Sequence, residues 1–172
     1  MEHPDSGAST LAKDSIEIGS ARIQRVLIAK IEPGEDLLKG IQAIAEKEAV
    51  SAGVILSAVG SLRKAKLRNM KRFPARFPVS DEDRLYETVE GPLEILSVSG
   101  NICRRVDNAL HVHAHITLSK VVEGQTEVLG GHLVEGNETF VMVEVFIGVL
   151  GDGSFTRTMH PERKSWEITP LH

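Results

Sequence analysis

The densest chemistry in this chain lies in five residues, His111-Val112-His113-Ala114-His115. Imidazole is the commonest protein metal ligand and carries protons near neutral pH. In a β-strand successive side chains point to opposite faces, so the three histidines share one side. Val112, Ala114, Ile116 and Leu118 take the other side and supply an interior, while Thr117 and Ser119 continue the polar face. Alternate strand residues lie about 6.6 Å apart. Imidazoles that lean inward across that gap can meet a zinc ion at about 2.0–2.1 Å. Two such ligands make a weak site, and His132 is the candidate for a third.

A hairpin that turns over residues 123–126 and pairs Val122 with Glu127 sets His132 opposite Thr117. That register brings it beside His115 on the histidine face. A slip of one residue would turn it away. Gly130-Gly131, just before it, reads as backbone freedom to bend toward a ligand. Four of the seven histidines fall within residues 111–132. The competing readings are idle or hydrogen-bonding histidines on an exposed sheet, and acid–base chemistry without a metal. Glu144 interrupts an apolar stretch. It is either a carboxylate that orients a ligating imidazole or acts as general base, or a plain edge-strand surface residue. Glu94 poses the same question. Other metal motifs fit poorly: a metallo-β-lactamase-like site needs an Asp that is missing here, an amidohydrolase barrel needs far more chain, and a cupin needs a Glu where residues 117–122 have none.

The elements that must position these residues follow from periodicity. Ile23–Ile31 is mostly apolar or β-branched and reads as a strand, ended by Pro33-Gly34. Residues 35–49 form the one convincing helix, with Leu37, Leu38, Ile41, Ile44 and Ala45 on one stripe. Glu35 and Asp36 occupy its first turn, where the helix dipole favours negative charge. Strands are expected at 54–59, stopped by Gly60-Ser61, and at 93–98, closed by Gly100. Further strands are expected at Leu110–Val122, 127–134 and 139–149. The predicted class is α/β in the α+β sense, a central, largely antiparallel sheet with one main helix packed against it. A flexible tail over 1–20, a domain over 21–150 and an extension over 151–172 complete the expected organisation. The extension is expected to hold one short strand at 166–168.

Bulk properties narrow the class further. The 172 residues are 41% hydrophobic and 26% charged, enough for one domain with a proper core. No apolar run approaches the roughly 18 residues that span a bilayer, and the N-terminal residues do not resemble a secretory signal. The single cysteine, Cys103, suits a reducing compartment. A cytoplasmic, intracellular protein is expected. The net charge of −4 argues against a protein that coats nucleic acid. Residues 63–76 nevertheless carry Arg63, Lys64, Lys66, Arg68, Lys71, Arg72 and Arg76 with no acid, and Asp81, Glu82 and Asp83 follow. They read as a solvated basic hairpin, or alternatively as a phosphate or nucleic-acid surface.

Taken together, residues 91–100 (Gly-Pro-Leu-Glu-Ile-Leu-Ser-Val-Ser-Gly), 111–114 (His-Val-His-Ala), 130–133 (Gly-Gly-His-Leu) and 143–147 (Val-Glu-Val-Phe-Ile) resemble the "plants and prokaryotes conserved" domain, abbreviated PPC. Residues 34–37 (Gly-Glu-Asp-Leu) and 57–60 (Ser-Ala-Val-Gly) add to the match, which covers about residues 23–149. The resemblance implies a compact α/β domain that assembles as a homotrimer. Plant members bind AT-rich DNA through an additional hook, while stand-alone prokaryotic members are labelled candidate DNA-binding proteins and some hold zinc through histidines. It implies His111, His113 and His132 as ligands, with His115 an extra that serves as fourth ligand or substrate-facing base. The Arg-Gly-Arg-Pro hook is missing, and 4% aromatic content offers few stacking platforms for single strands. Two functions stay open. One is a trimeric module that contacts DNA through residues 63–76. The other is a metal-dependent enzyme or small-molecule sensor, with His115 or Glu144 as the acid–base group and zinc or another divalent ion as cofactor.

Overall fold

The computed structural model describes residues 16–151 and 154–171. Most of the tail expected over 1–20 lies outside them, and residues 16–20 are exposed without regular structure. Eight strands and one helix follow in the order β1 (Ile23–Ile31), α1 (Leu37–Lys47), β2 (Ala52–Met70), β3 (Arg84–Arg104), β4 (Leu110–Val122), β5 (Gln125–Leu133), β6 (Glu138–Leu150), β7 (Phe155–Met159) and β8 (Trp166–Pro170). The first six strands form one antiparallel sheet in the order β1-β6-β2-β3-β4-β5. A further pairing of β5 with β2, through Leu67 with Leu133 and Arg68 with His132, rolls four of them into a closed ring.

The helix is shorter than its periodic stripe because Asp36 stands at its N-cap rather than inside the first turn. One Asp36 carboxylate oxygen accepts from the Lys39 N–H at 3.0 Å. The other accepts from the Gly136 and Asn137 N–H groups at 2.7 and 3.0 Å, tying the helix start to the turn before β6. A side chain that satisfies both a helix end and a distant turn fixes where the helix sits on the sheet. Leu37, Leu38, Ile41 and Ala45 are buried there.

Two strands run much longer than expected. Gly60 does not stop β2, because it keeps ladder partners on both sides, Ile95 in β3 and Val143 in β6. Gly100 likewise pairs with Ala114 inside β3. The expected basic hairpin is therefore half strand: residues 63–70 belong to β2, and only residues from Lys71 onward lie in the loop before β3. The extension holds two strands where one was expected, and β7 and β8 pair as a separate antiparallel hairpin.

The core is filled from α1 and the inner sheet face. Ala114, Ile116 and Leu118 of β4 and Val143, Val145 and Ile147 of β6 are all fully buried or nearly so. This decides the orientation of the histidines. Turning β4 over would expose Ile116 and Leu118, at about 1.5–3 kcal/mol each, and would bury imidazoles in their place. The apolar row wins, and the histidine row faces out of the core.

Candidate metal centre

The β4–β5 hairpin closes through Glu123 and Gly124, with φ of 49° and 78°. Two successive positive values define the tight two-residue turn whose twist matches paired strands, and the glycine adopts it without strain. The hairpin is thus two residues tighter than expected. Val122 pairs with Gln125 instead of Glu127, and His132 stands opposite His115 rather than Thr117. A shift of two leaves the face unchanged, so His132 still points to the histidine side. Gly130 and Gly131 serve close approach, not bending. A Cβ would lie 2.6 Å from the Ile116 carbonyl oxygen at Gly130, and 2.6 Å from Asn69 Oδ1 at Gly131.

The rings gather accordingly. Ring centroids are 5.0 Å apart for His113 and His132, 5.1 Å for His115 and His132, and 5.6 Å for His113 and His115. One ligand nitrogen from each of these three lies within 4.8 Å of the others. Ligand atoms of a tetrahedral zinc at about 2.0–2.1 Å are separated by roughly 3.4 Å, so small side-chain rotations close the set. His111 is not in that group. Its ring is 6.5 Å from that of His113, and it sits four residues, or about 13 Å of strand, from His115. The sequence-implied set of His111, His113 and His132 and the structural group therefore share two members. The register is the reason: His132 stands opposite His115, two residues nearer to His111 than expected but still four residues along the strand from it.

Electrostatics favour metal-ready, neutral rings. Burial, reinforced by the Arg157 guanidinium and by His113 and Arg105, pushes His111 down from 6.5 to about 4. Burial and the Arg68 guanidinium, with the neighbouring imidazoles, push His132 down to about 3. His113 is lowered as well, by burial and then by Arg157. An imidazole that is unprotonated at neutral pH has a lone pair to offer. The chain's own stability should record this when no metal is bound. The unfolded rings take up protons as pH falls below 6.5, whereas His111 and His132 in the folded chain wait until about 4 and about 3. Folding stability is therefore full above pH 6.5 and declines as pH drops through that window. Asp83 and Glu167, each held at about 2 by an arginine and a serine, lose their contribution only at lower pH. Urea midpoints measured in chelator should begin to fall below pH 6.5, and a flat profile down to pH 5 would contradict it.

Sequence reasoning missed Arg157 of β7. It is 3% exposed and donates to the Trp166 carbonyl at 2.6 Å, to Asn101 Oδ1 at 2.9 Å and to His113 Nδ1 at 3.2 Å. A guanidinium only donates, so Nδ1 of His113 accepts and the ring proton of the neutral form sits on Nε2. Arg157 thereby couples the β7–β8 hairpin to the histidine row. Arg105 stacked over the Trp166 ring at 4.1 Å holds the same hairpin down. The alternation Phe-Thr-Arg-Thr-Met over 155–159 leaves open which face of a lone hairpin is covered, so no local signal marked this arginine.

Other candidates lie elsewhere. Glu144 is exposed on β6, which is a central strand, between Lys30 of β1 and Val59 of β2. Arg68, the β2 residue nearest His132 in the ladder, is nine positions along from Val59, so Glu144 does not join the histidines. Glu94 is exposed on β3 opposite Ser61 and Ser119. Cys103 stands opposite His111 in the ladder but is completely buried, and burial raises its thiol pKa. Of the basic residues, Arg63 and Lys64 pair with Glu138 at 3.0 and 3.4 Å, and Arg72 pairs with Asp83 at 2.8 Å and Glu82 at 3.3 Å. Lys66, Lys71 and Arg76 are not ion-paired among the described residues. Arg68 turns toward the histidines, where it lines the hollow with His132.

A closed antiparallel sheet carrying one helix, with a hairpin that gathers imidazoles outside the core, defines a small β-rich protein able to hold a metal ion. The chain belongs to the Plants and Prokaryotes Conserved (PCC) domain family, whose sequence profile matches residues 18–151. A metal-containing protein from Archaeoglobus fulgidus is 25% identical with a TM-score of 0.71, over 90% of this chain and 99% of that one. A plant- and prokaryote-conserved (PPC) protein from Pyrococcus horikoshii is 27% identical with a TM-score of 0.70, over 91% and 100%. A Bacteroides thetaiotaomicron protein named as a candidate DNA-binding protein shares the fold at 20% identity and a TM-score of 0.68, over 89% and 98%. The bifunctional protein GlmU of Synechococcus sp. (strain JA-3-3Ab) is 31% identical over 137 residues, 80% of this chain, and the chain spans only 19% of its length. Among the described residues no helix is long and apolar enough to cross a membrane.

Proposed function

We propose that this chain is a metal-dependent small-molecule-binding protein of the cytoplasm. In this reading it assembles as a homotrimer and holds zinc or a similar divalent ion through His113, His115 and His132. The observation that carries it is the convergence of three imidazole nitrogens within 4.8 Å, contributed by two paired strands. Three neutral nitrogen donors leave one position of a tetrahedral ion open, the arrangement of sites that bind or activate a fourth ligand. When bound, the ion would act there as a Lewis acid. His111 would line the approach, and His113 would give up its Nδ1 hydrogen bond from Arg157 on taking the ion, because a neutral imidazole has a single ring lone pair. The metal-containing relative from Archaeoglobus fulgidus supports the same reading. A trimer is supported by the exposed outer face of the sheet, where Ile28, Val59 and Leu96 leave apolar surface uncovered.

The test is metal analysis and sedimentation equilibrium on protein purified without chelator or histidine tag. One ion per chain and a mass three times 18.8 kDa are expected. Metal-free protein that takes up no zinc when titrated would refute the reading. DNA contact is the second reading. Lys66 and Lys71 are exposed, and they are not ion-paired among the described residues. It requires a duplex-DNA mobility shift that weakens steeply with salt, and no shift at low salt removes it.

A further inference from the structure

Two cavities, of about 370 and 310 Å³, adjoin at the histidine group and share Arg68, Val79, Arg84 and His132 in their walls. No aspartate or glutamate lines either one among the described residues. Four cations do: Arg68, Arg84, Arg163 and Lys164. Arg84 is paired with Asp81, Arg163 with Glu167, and Lys164 is exposed to solvent. Arg68 is different. It is half-buried, stands opposite His132 in the β2–β5 ladder, and pairs with no acid or hydrogen-bond acceptor among the described residues. A guanidinium carries five N–H donors in a rigid fork, and those of Arg68 are not among the buried unpartnered atoms, so they are open to a ligand in the hollow.

We infer that this hollow binds a small oxyanion, a carboxylate or a phosphate monoester, with one oxygen on the metal and another on the guanidinium of Arg68. The inference rests on the metal reading above and identifies what occupies the open position. Three neutral imidazoles leave both charges of a divalent ion uncompensated, and Arg68 adds a third within the same acid-free hollow. An anion is the ligand that answers both. The planar fork of arginine matches two oxygens of a carboxylate or phosphate, a geometry a single ammonium does not offer. Phe77, Val79 and Trp166 line the larger cavity, so a ligand with an apolar body beside its anionic group fits better than a strongly hydrated one. A cavity of about 370 Å³ is at the small end for ligand sites, which run from about 300 to 1,000 Å³. An arginine that served only a nucleic-acid surface would lie on an open face, whereas Arg68 lies within this recess.

The experiment titrates inorganic phosphate and, separately, benzoate into zinc-loaded protein by calorimetry. The titrations are repeated on cobalt-substituted protein while its visible absorption is followed. Wild type is expected to bind one anion per chain and to change the cobalt bands as the fourth ligand is exchanged. Arg68→Gln should keep its full metal content and weaken anion binding by roughly 10- to 100-fold, the worth of charge-assisted hydrogen bonds. Arg68→Lys should fall between the two and covers the case in which Arg68→Gln folds poorly. Tighter phosphate assigns the ligand to phosphate monoesters, and tighter benzoate assigns it to organic acids. Metal-loaded wild type that binds neither anion overturns this inference alone, as does Arg68→Gln binding as tightly as wild type. Wild type that holds no metal overturns both this inference and the metal reading.

Discussion

His132→Ala should lower zinc affinity by roughly 100-fold or more, because even outer-sphere partners of a ligand are worth about 10–100-fold. The variant removes the only member of the group supplied by β5 and leaves His113 and His115, two residues of one strand. The effect on stability can be worked out. Zinc at 100 times its dissociation constant stabilises the wild type by about 2.7 kcal/mol. The same concentration is then only equal to the weakened constant, and the gain drops to about 0.4 kcal/mol. For a chain of this size the difference is about 5–9 °C in melting temperature. His115→Ala should behave alike, since its ring belongs to the same group. His111→Ala should change zinc affinity far less, because its ring lies outside the group. These two variants separate the ligand set implied by family resemblance from the one gathered by the fold. Zinc binding lost in His111→Ala but intact in His115→Ala would restore the former.

Ile116→Ala should cost about 2–5 kcal/mol of folding stability, through lost burial and the cavity left behind. Ile116 is 1% exposed and belongs to the same buried cluster as Leu37 and Ile41 of helix α1, with Gly131 as its β5 partner. The melting temperature should drop by about 4–20 °C. Its chain neighbour makes the comparison informative. His115 is exposed on the opposite face, so His115→Ala in metal-free protein should stay within about 0.5 kcal/mol of wild type. Adjacent positions on one strand thus divide the work: one loses stability and keeps the site in the folded fraction, the other loses metal and keeps the fold. Chemical denaturation with and without zinc would measure both. Equal destabilisation by the two substitutions would mean that the β4 faces are assigned the wrong way round.

Much of the site was legible because its causes are local. Alternation over Leu110–Val122 assigns a face to every residue of β4 with no reference to the rest of the chain, and Ala114, Ile116 and Leu118 are indeed buried. The helix was equally visible from its apolar stripe. Its start was misplaced because Asp36 is held by Gly136 and Asn137, 100 and 101 residues away, and such partners leave no mark on the local pattern. Strand ends at Gly60 and Gly100 were misjudged for the same reason. Glycine signals a turn in isolation, yet here both sit inside ladders that neighbouring strands complete.

The antiparallel class, helix α1 and the shared face of His111, His113 and His115 follow from the residues alone, since each is set by side-chain period along one stretch of chain. Which imidazoles meet is settled by how the strands pair. That choice depends on two backbone angles in the Glu123-Gly124 turn, which set the register by two residues and so exchange Thr117 for His115 as the partner of His132. The fold also sets the surroundings. Arg157 reaches His113 from a hairpin 44 residues further on, and Arg68 meets His132 only because β5 closes back onto β2. Contacts between segments so distant depend on how the whole sheet rolls up, and no window of sequence contains that information.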